Sequence, residues 1–125
     1  TWAPKDVGGL TPALRATELR SGLLDNHAGT LVFRPLPRLA QVAPLFAIAL
    51  TDVNRDGRPD LLLGGNVTHN RVRLGKADAC LGQLWLNEGR QQFRPVAPEE
   101  SGLLLTGDVR DLRVIRPPTG LTLLA

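Results

Sequence analysis

An acidic loop between two apolar runs determines the local architecture of this chain. Residues 52–60 read Asp-Val-Asn-Arg-Asp-Gly-Arg-Pro-Asp. The runs at 46–51 and 61–65 are short, apolar and bounded by turn residues, which is typical of buried strands. The sequence therefore predicts a strand, a tight loop and a second strand.

The spacing of oxygen-bearing side chains in this loop predicts a calcium site. Ca²⁺ takes about six to eight oxygen ligands, and alternate residues of a short loop can point toward one ion. Gly57 permits a positive-φ bend that returns the chain to the same point. The predicted ligands are the side chains of Asp52, Asn54, Asp56 and Asp60 and the backbone carbonyl of Arg58. The alternative is an Asx-rich turn whose carboxylates are merely solvated.

An EF-hand is excluded by the twelfth position of the loop. That position requires a bidentate glutamate, and here it is Leu63. The apolar runs around the loop also favour strands rather than the helices of an EF-hand.

Composition excludes several classes of protein. The net charge is +3, but the arginines are scattered singly and only three Phe, two Trp and no Tyr are present, so no stacking platform for nucleic acid is expected. No apolar run is long enough to cross a membrane. The single cysteine, Cys80, cannot form an intrachain disulfide and is predicted to be a small buried residue.

The frequent prolines and glycines of the chain predict an all-β fold. Ten prolines and thirteen glycines divide it into short segments, and one helix is predicted, around 12–19. The predicted strands cover about 45–51, 60–65, 82–87 and 92–96, with a hairpin turn at 87–90. The excursion at 66–81 is the most polar predicted insertion, and it begins with an Asn-Val-Thr glycosylation sequon at Asn66.

An internal repeat supports this organisation. A Phe-Arg-Pro triplet begins at Phe33 and again at Phe93, and an apolar strand followed by Asp-Val occurs after each, at Asp52 and at Asp108. The second copy, 108–112, lacks the glycine and the later ligands, so a tight turn without metal is expected there. We predict a single domain over 1–125, with one complete four-stranded unit at about 45–96 and partial units at about 20–36 and 102–125.

These residues resemble the FG-GAP/VCBS repeat family of integrin-like β-propeller blades. The resemblance rests on the segment from Phe46 to Asn66, on Gln-Leu-Trp-Leu-Asn-Glu-Gly at 83–89 and on Phe93. The wider run, about 20–116, is similar to the C-terminal part of VCBS-repeat proteins of the ASPIC/UnbV type. The resemblance implies β-propeller blades, Ca²⁺ between the first two strands of a blade, and an extracellular, periplasmic or cell-surface setting. About two blades fit in this chain, so an incomplete propeller or part of a larger assembly is expected.

The function expected from this resemblance is a calcium-binding, non-enzymatic binding or adhesion module. Its partners would be other protein chains or an extracellular glycan. Two alternatives remain: a fragment of a lyase-like, polysaccharide-active propeller enzyme, with His27 and His69 as its only histidine candidates, and a structural subunit that assembles with itself through open strand edges.

Overall fold

The fold is built almost entirely from antiparallel β-structure, as predicted. The computed structural model describes residues 16–69, 75–90, 92–116 and 120–125. Its strands are β1 (Gly22–His27), β2 (Thr30–Pro35), β3 (Leu45–Thr51), β4 (Asp60–Gly65), β5 (Gln83–Gly89), β6 (Gln92–Val96), β7 (Arg113–Ile115) and β8 (Thr122–Leu124). A short 3-10 helix covers Arg38–Gln41, and one short α-helix, α1, covers Pro98–Ser101. Of the helix predicted around 12–19, residues 12–15 lie outside the described residues, and 16–19 have no regular structure.

The strands form three separate sheets. A four-stranded sheet has the order β3-β4-β5-β6, and two-stranded sheets pair β1 with β2 and β7 with β8. None of these sheets closes on itself among the described residues. All-β architecture is therefore confirmed, whereas the arrangement of blades in a propeller stays a prediction.

The central sheet is covered on both faces by segments from the two ends of the chain. Because side chains alternate along a strand, Leu62 of β4 faces one side, with Val109 and Leu112 packed there. Its neighbours Leu61 and Leu63 face the other side, where the Leu36 and Ala40 side chains and the Trp85 indole complete a second cluster. All residues of β4 are consequently buried.

The edge strand β3 differs from the buried strand predicted at this position. Ala47 and Ala49 face the core, but Phe46, Ile48 and Leu50 are 48%, 61% and 63% exposed. The reason is that β3 pairs only with β4 in the described part of the chain. On its second face the Arg110 guanidinium lies 4.1 Å from the centre of the Phe46 ring, and Ile48 and Leu50 stay largely exposed. Only β4 has the burial that the sequence predicted for both strands.

The hairpins differ in the position of their turns. Ala28 and Gly29 form the turn of the first hairpin, with φ angles of 52° and 95°, as two-residue hairpin turns require. In the second hairpin β5 continues to Gly89 and β6 begins at Gln92, so the chain reverses later than the predicted 87–90. The two Phe-Arg-Pro triplets therefore occupy different registers, since Phe33 pairs with Leu24 and Phe93 pairs with Asn87.

Candidate metal loop

The acidic loop joins β3 to β4 at one end of the central sheet. Its first residue, Asp52, is half-buried, residues 53–59 are exposed, and Asp60 at its end is buried. The backbone turns through positive φ at Arg55, 62°, and at Gly57, 83°. The bend predicted at Gly57 is confirmed, and an added Cβ there would have no steric neighbour, so the backbone angle alone favours glycine.

Asp52 organises the backbone of the loop. Its Oδ1 accepts a hydrogen bond from the amide of Asp56 at 3.1 Å, and its Oδ2 accepts one from the amide of Gly57 at 2.8 Å. These bonds are the side-chain-to-backbone type in which aspartate replaces a regular turn. The loop is therefore folded around this carboxylate.

Asn54 and Asp56 lie against each other at the same side of the loop. The Asn54 Nδ2 donates to Asp56 Oδ2 at 2.8 Å, and the Asn54 Oδ1 accepts from the Asp56 amide at 3.1 Å. The hydrogen bond from Asn54 and then the one from the Arg58 amide hold the pKa of Asp56 below its ordinary value. The Asp56 carboxylate is thus stabilised in its ionised form.

Asp60, the last predicted ligand, has a different environment. It is completely buried, and its Oδ2 accepts from the Val53 amide at 2.8 Å while its Oδ1 accepts from the Asn87 amide at 2.9 Å. Both oxygens therefore satisfy backbone groups of two different segments. Asp60 joins the beginning of the loop to the end of β5.

Arg58, predicted as a ligand through its carbonyl, contributes most visibly through its side chain. Its Nη2 lies 2.6 Å from Asp56 Oδ2, and its Nε donates to the carbonyl oxygen of Asn87 at 2.7 Å. The guanidinium thus lies between an acidic side chain of the loop and the second hairpin.

Asn87 belongs to the site but is not among the site residues predicted from the sequence. Besides the contacts of its backbone, its Nδ2 donates to the Pro59 carbonyl at 3.0 Å and its Oδ1 accepts from the Gly89 amide at 3.0 Å. The sequence signal was available, because an asparagine two residues before a glycine favours an Asx turn. The contact of Asn87 with Pro59, however, has no local signal, because it depends on the pairing of β4 with β5.

The donor set of the loop fits a hard cation, although the ligands are not assembled around one point. In the described part of the chain, no three His, Cys, Asp or Glu side chains lie close enough together to hold a metal ion. Asp52, Asn54 and Asp56 are nevertheless gathered on one loop, and each carboxylate oxygen has a second lone pair beyond the bond it accepts. The Arg58 guanidinium forms an ion pair with Asp56 and so supplies a positive charge at this cluster. The five-ligand calcium site therefore stays a prediction.

The excursion after β4 begins with a buried asparagine rather than with an exposed acceptor for a glycan. Asn66 is 1% exposed, and its Nδ2, the atom to which a glycan would be attached, donates to the carbonyls of Cys80 at 2.6 Å and of Gly107 at 3.0 Å. Its Oδ1 accepts from the Cys80 amide at 2.9 Å. The sequon at Asn66 is therefore not an available glycosylation site in the folded chain. Cys80 itself is buried and free, as predicted.

Neither histidine lies in an enclosed site. His27 is exposed, and the His69 side chain is 97% exposed, with its Nδ1 3.1 Å from Thr68 Oγ1 and 3.9 Å from Asp108 Oδ2. Asp108 also accepts from the Thr68 amide at 2.8 Å. Burial raises the pKa of Asp108, but the hydrogen bonds from Thr68 and the charges of Arg110 and His69 outweigh burial and lower it overall.

The lowered pKa of Asp108 predicts acid sensitivity of this contact. Its folded-state pKa lies below the ordinary value of 3.8, so its stabilising contribution is present above that value and is lost as the pH falls through the folded-state pKa. In urea unfolding at a series of acidic pH values, Asp108→Asn should lose stability less steeply than the wild type. Equal slopes for the two proteins would contradict this expectation.

Comparison with protein-family models, curated proteins and solved structures yields no match for this chain. Among the described residues, no helix is both long and apolar enough to cross a membrane.

Proposed function

We propose that loop 52–60 binds Ca²⁺ and that the chain is a calcium-stabilised, non-enzymatic binding or adhesion module. The observation that carries the proposal is the double hydrogen bond from the amides of Asp56 and Gly57 to Asp52. It folds the loop in which the side chains of Asn54 and Asp56 also contact each other. Oxygen donors on a folded loop are the ligand type that Ca²⁺ prefers.

The ligands of this proposed site are those that the sequence predicts. The side chains of Asp52, Asn54, Asp56 and Asp60 and the carbonyl of Arg58 would hold the ion. Because β3 and β4 leave from the two ends of the loop, a bound cation would restrain the first two strands of the central sheet. Its contribution would be to the stability of the fold.

The proposed setting is extracellular or periplasmic, with the chain forming blades of a β-propeller. Extracellular calcium modules bind with Kd values of about 10⁻⁴ to 10⁻³ M, which suits a partly exposed loop with a neighbouring arginine. Extracellular proteins or glycans would then be the partners. Support for this part of the proposal comes from the loop motif and from the four-stranded antiparallel order of the central sheet.

Thermal unfolding in Ca²⁺, in Mg²⁺ and in chelator tests calcium binding. With Ca²⁺ at about a hundred times its Kd, the folded state should gain about 2.7 kcal/mol, and Mg²⁺ should have a smaller effect because it prefers rigid octahedral sites. The variant Asp52→Asn should lose most of the calcium response.

The matched control is Asp111→Asn, which removes a carboxylate from the second Asp-Val copy, where it contacts Arg113. This variant should keep the full calcium response. Coincident unfolding curves of the wild type in all three buffers would refute the proposal.

A second candidate function, self-assembly, is favoured by the exposed apolar face of β3. Phe46, Ile48 and Leu50 lie on this edge strand, and such edges readily pair with other chains. Sedimentation equilibrium over a hundredfold range of protein concentration should then show a rising mass. A constant monomer mass would exclude this candidate.

A further inference from the structure

We propose that Arg58 is an internal counter-ion of the acidic loop, and that a divalent cation displaces it and thereby loosens the contact of the loop with the second hairpin. The inference deepens the proposed calcium function and rests on it. It assigns to the arginine side chain the regulation of the site, in addition to the ligand role predicted for the carbonyl of the same residue.

The guanidinium of Arg58 places a positive charge directly on the acidic loop. Nη2 of Arg58 lies 2.6 Å from Asp56 Oδ2, the carboxylate that also accepts from Asn54. A cation coordinated by Asp56 and a guanidinium bonded to Asp56 compete for the same negative charge. With the Asp56 and Arg58 side chains 24% and 46% exposed, solvent screens and weakens this ion pair, so a divalent ion can displace it.

The same guanidinium also forms a hydrogen bond to the second hairpin. Nε of Arg58 donates at 2.7 Å to the carbonyl of Asn87, which lies 29 residues further along the chain. Movement of the guanidinium away from Asp56 therefore changes the hydrogen bonding of the Asn87 carbonyl. The hairpin stays attached to β4 through Asp60, whose carboxylate accepts from the Asn87 amide.

The peptide group between Asn87 and Glu88 reports on the hydrogen bond from Arg58. Its carbonyl oxygen accepts the bond from Arg58, and its nitrogen is the amide of Glu88, so the Glu88 resonance in two-dimensional ¹H–¹⁵N NMR responds to that bond. The experiment titrates Ca²⁺ into the full chain and records both the affinity and the Glu88 shift, for the wild type, Arg58→Gln and Arg55→Gln.

Arg55→Gln is the matched control. Arg55 belongs to the same exposed loop and its replacement removes the same charge, but the hydrogen bonds to Asp56 Oδ2 and to Asn87 O come from Arg58. Arg58→Gln should bind Ca²⁺ about fivefold more tightly than the wild type, and Arg55→Gln should change the affinity less. Without metal, the Glu88 resonance of Arg58→Gln should already be shifted in the direction that Ca²⁺ shifts it in the wild type.

The outcomes separate this inference from the calcium proposal. If the wild type binds Ca²⁺ but Arg58→Gln has the same affinity and Ca²⁺ leaves Glu88 unshifted, the counter-ion role is overturned and calcium binding stands. If only Arg58→Gln binds, the counter-ion role is supported and calcium binding by the wild type fails. If neither binds, both fail. Should Arg58→Gln not fold, Arg58→Lys takes its place, with nearly wild-type affinity and no calcium-dependent shift at Glu88 expected.

Discussion

Replacement of Asn66 with alanine is expected to lower the free energy of unfolding by about 4 kcal/mol. The amide and carbonyl of Cys80 and the carbonyl of Gly107 would each lose a hydrogen bond to the Asn66 side chain, and buried groups left without a partner are destabilising. The backbone at Asn66 also has a φ of 87°, which alanine adopts unfavourably. Urea unfolding followed by tryptophan fluorescence measures the loss.

The variant Asn66→Gly separates the two causes. It removes the same three hydrogen bonds, but glycine accepts a positive φ without strain. It should therefore be about 1 kcal/mol more stable than Asn66→Ala and still far less stable than the wild type. A loss below about 1 kcal/mol in both variants would show that these buried bonds contribute little.

Replacement of Gly65 with alanine is expected to destabilise the fold by about 3 kcal/mol. A Cβ on Gly65 would lie 1.9 Å from the carbonyl oxygen of Pro44. That oxygen is fixed, because it accepts a hydrogen bond from the Asn66 amide at 3.0 Å, so the backbone itself has to move. Chemical denaturation of the purified variant gives the change in the free energy of unfolding.

Gly64, the preceding residue, provides the control for this prediction. A Cβ on Gly64 would meet a side chain, Val109 Cγ1, at 2.8 Å. The combination of Gly64→Ala with Val109→Ala should remove that steric conflict and give less than the sum of the two single losses. No side-chain truncation should rescue Gly65→Ala, and rescue by any such change would contradict the proposed backbone clash.

The sequence predicts the local elements of this fold well where the residues that define an element are neighbours in the chain. The strands at 45–51 and 60–65 and the bend at Gly57 all depend on neighbouring residues, and all are present. For the second hairpin the sequence predicts the turn too early, because Asn87-Glu88-Gly89 is a typical turn sequence, whereas pairing with β6 extends the strand to Gly89.

The contacts of the site could not be predicted in the same way, because they depend on tertiary pairing. The burial of Asp60 follows from its place between Val53 and the end of β5, and no local pattern encodes that neighbour. The same holds for Arg58, whose partner Asn87 is distant in sequence. The sequence places Asn66 in an exposed glycosylation sequon. Its burial could not be predicted locally, because the segments that enclose its side chain are distant in sequence, at residues 80 and 107.

The coverage of the central sheet from both ends of the chain has a consequence for its biosynthesis. The face with Leu61, Leu63 and Trp85 is closed by residues made earlier, Leu36 and Ala40. The opposite face needs residues made after β6, such as Val109, Leu112 and Leu123. Until residues 103–112 have left the ribosome, that second face lacks the side chains that cover it in the folded chain, and its apolar residues are open to a chaperone.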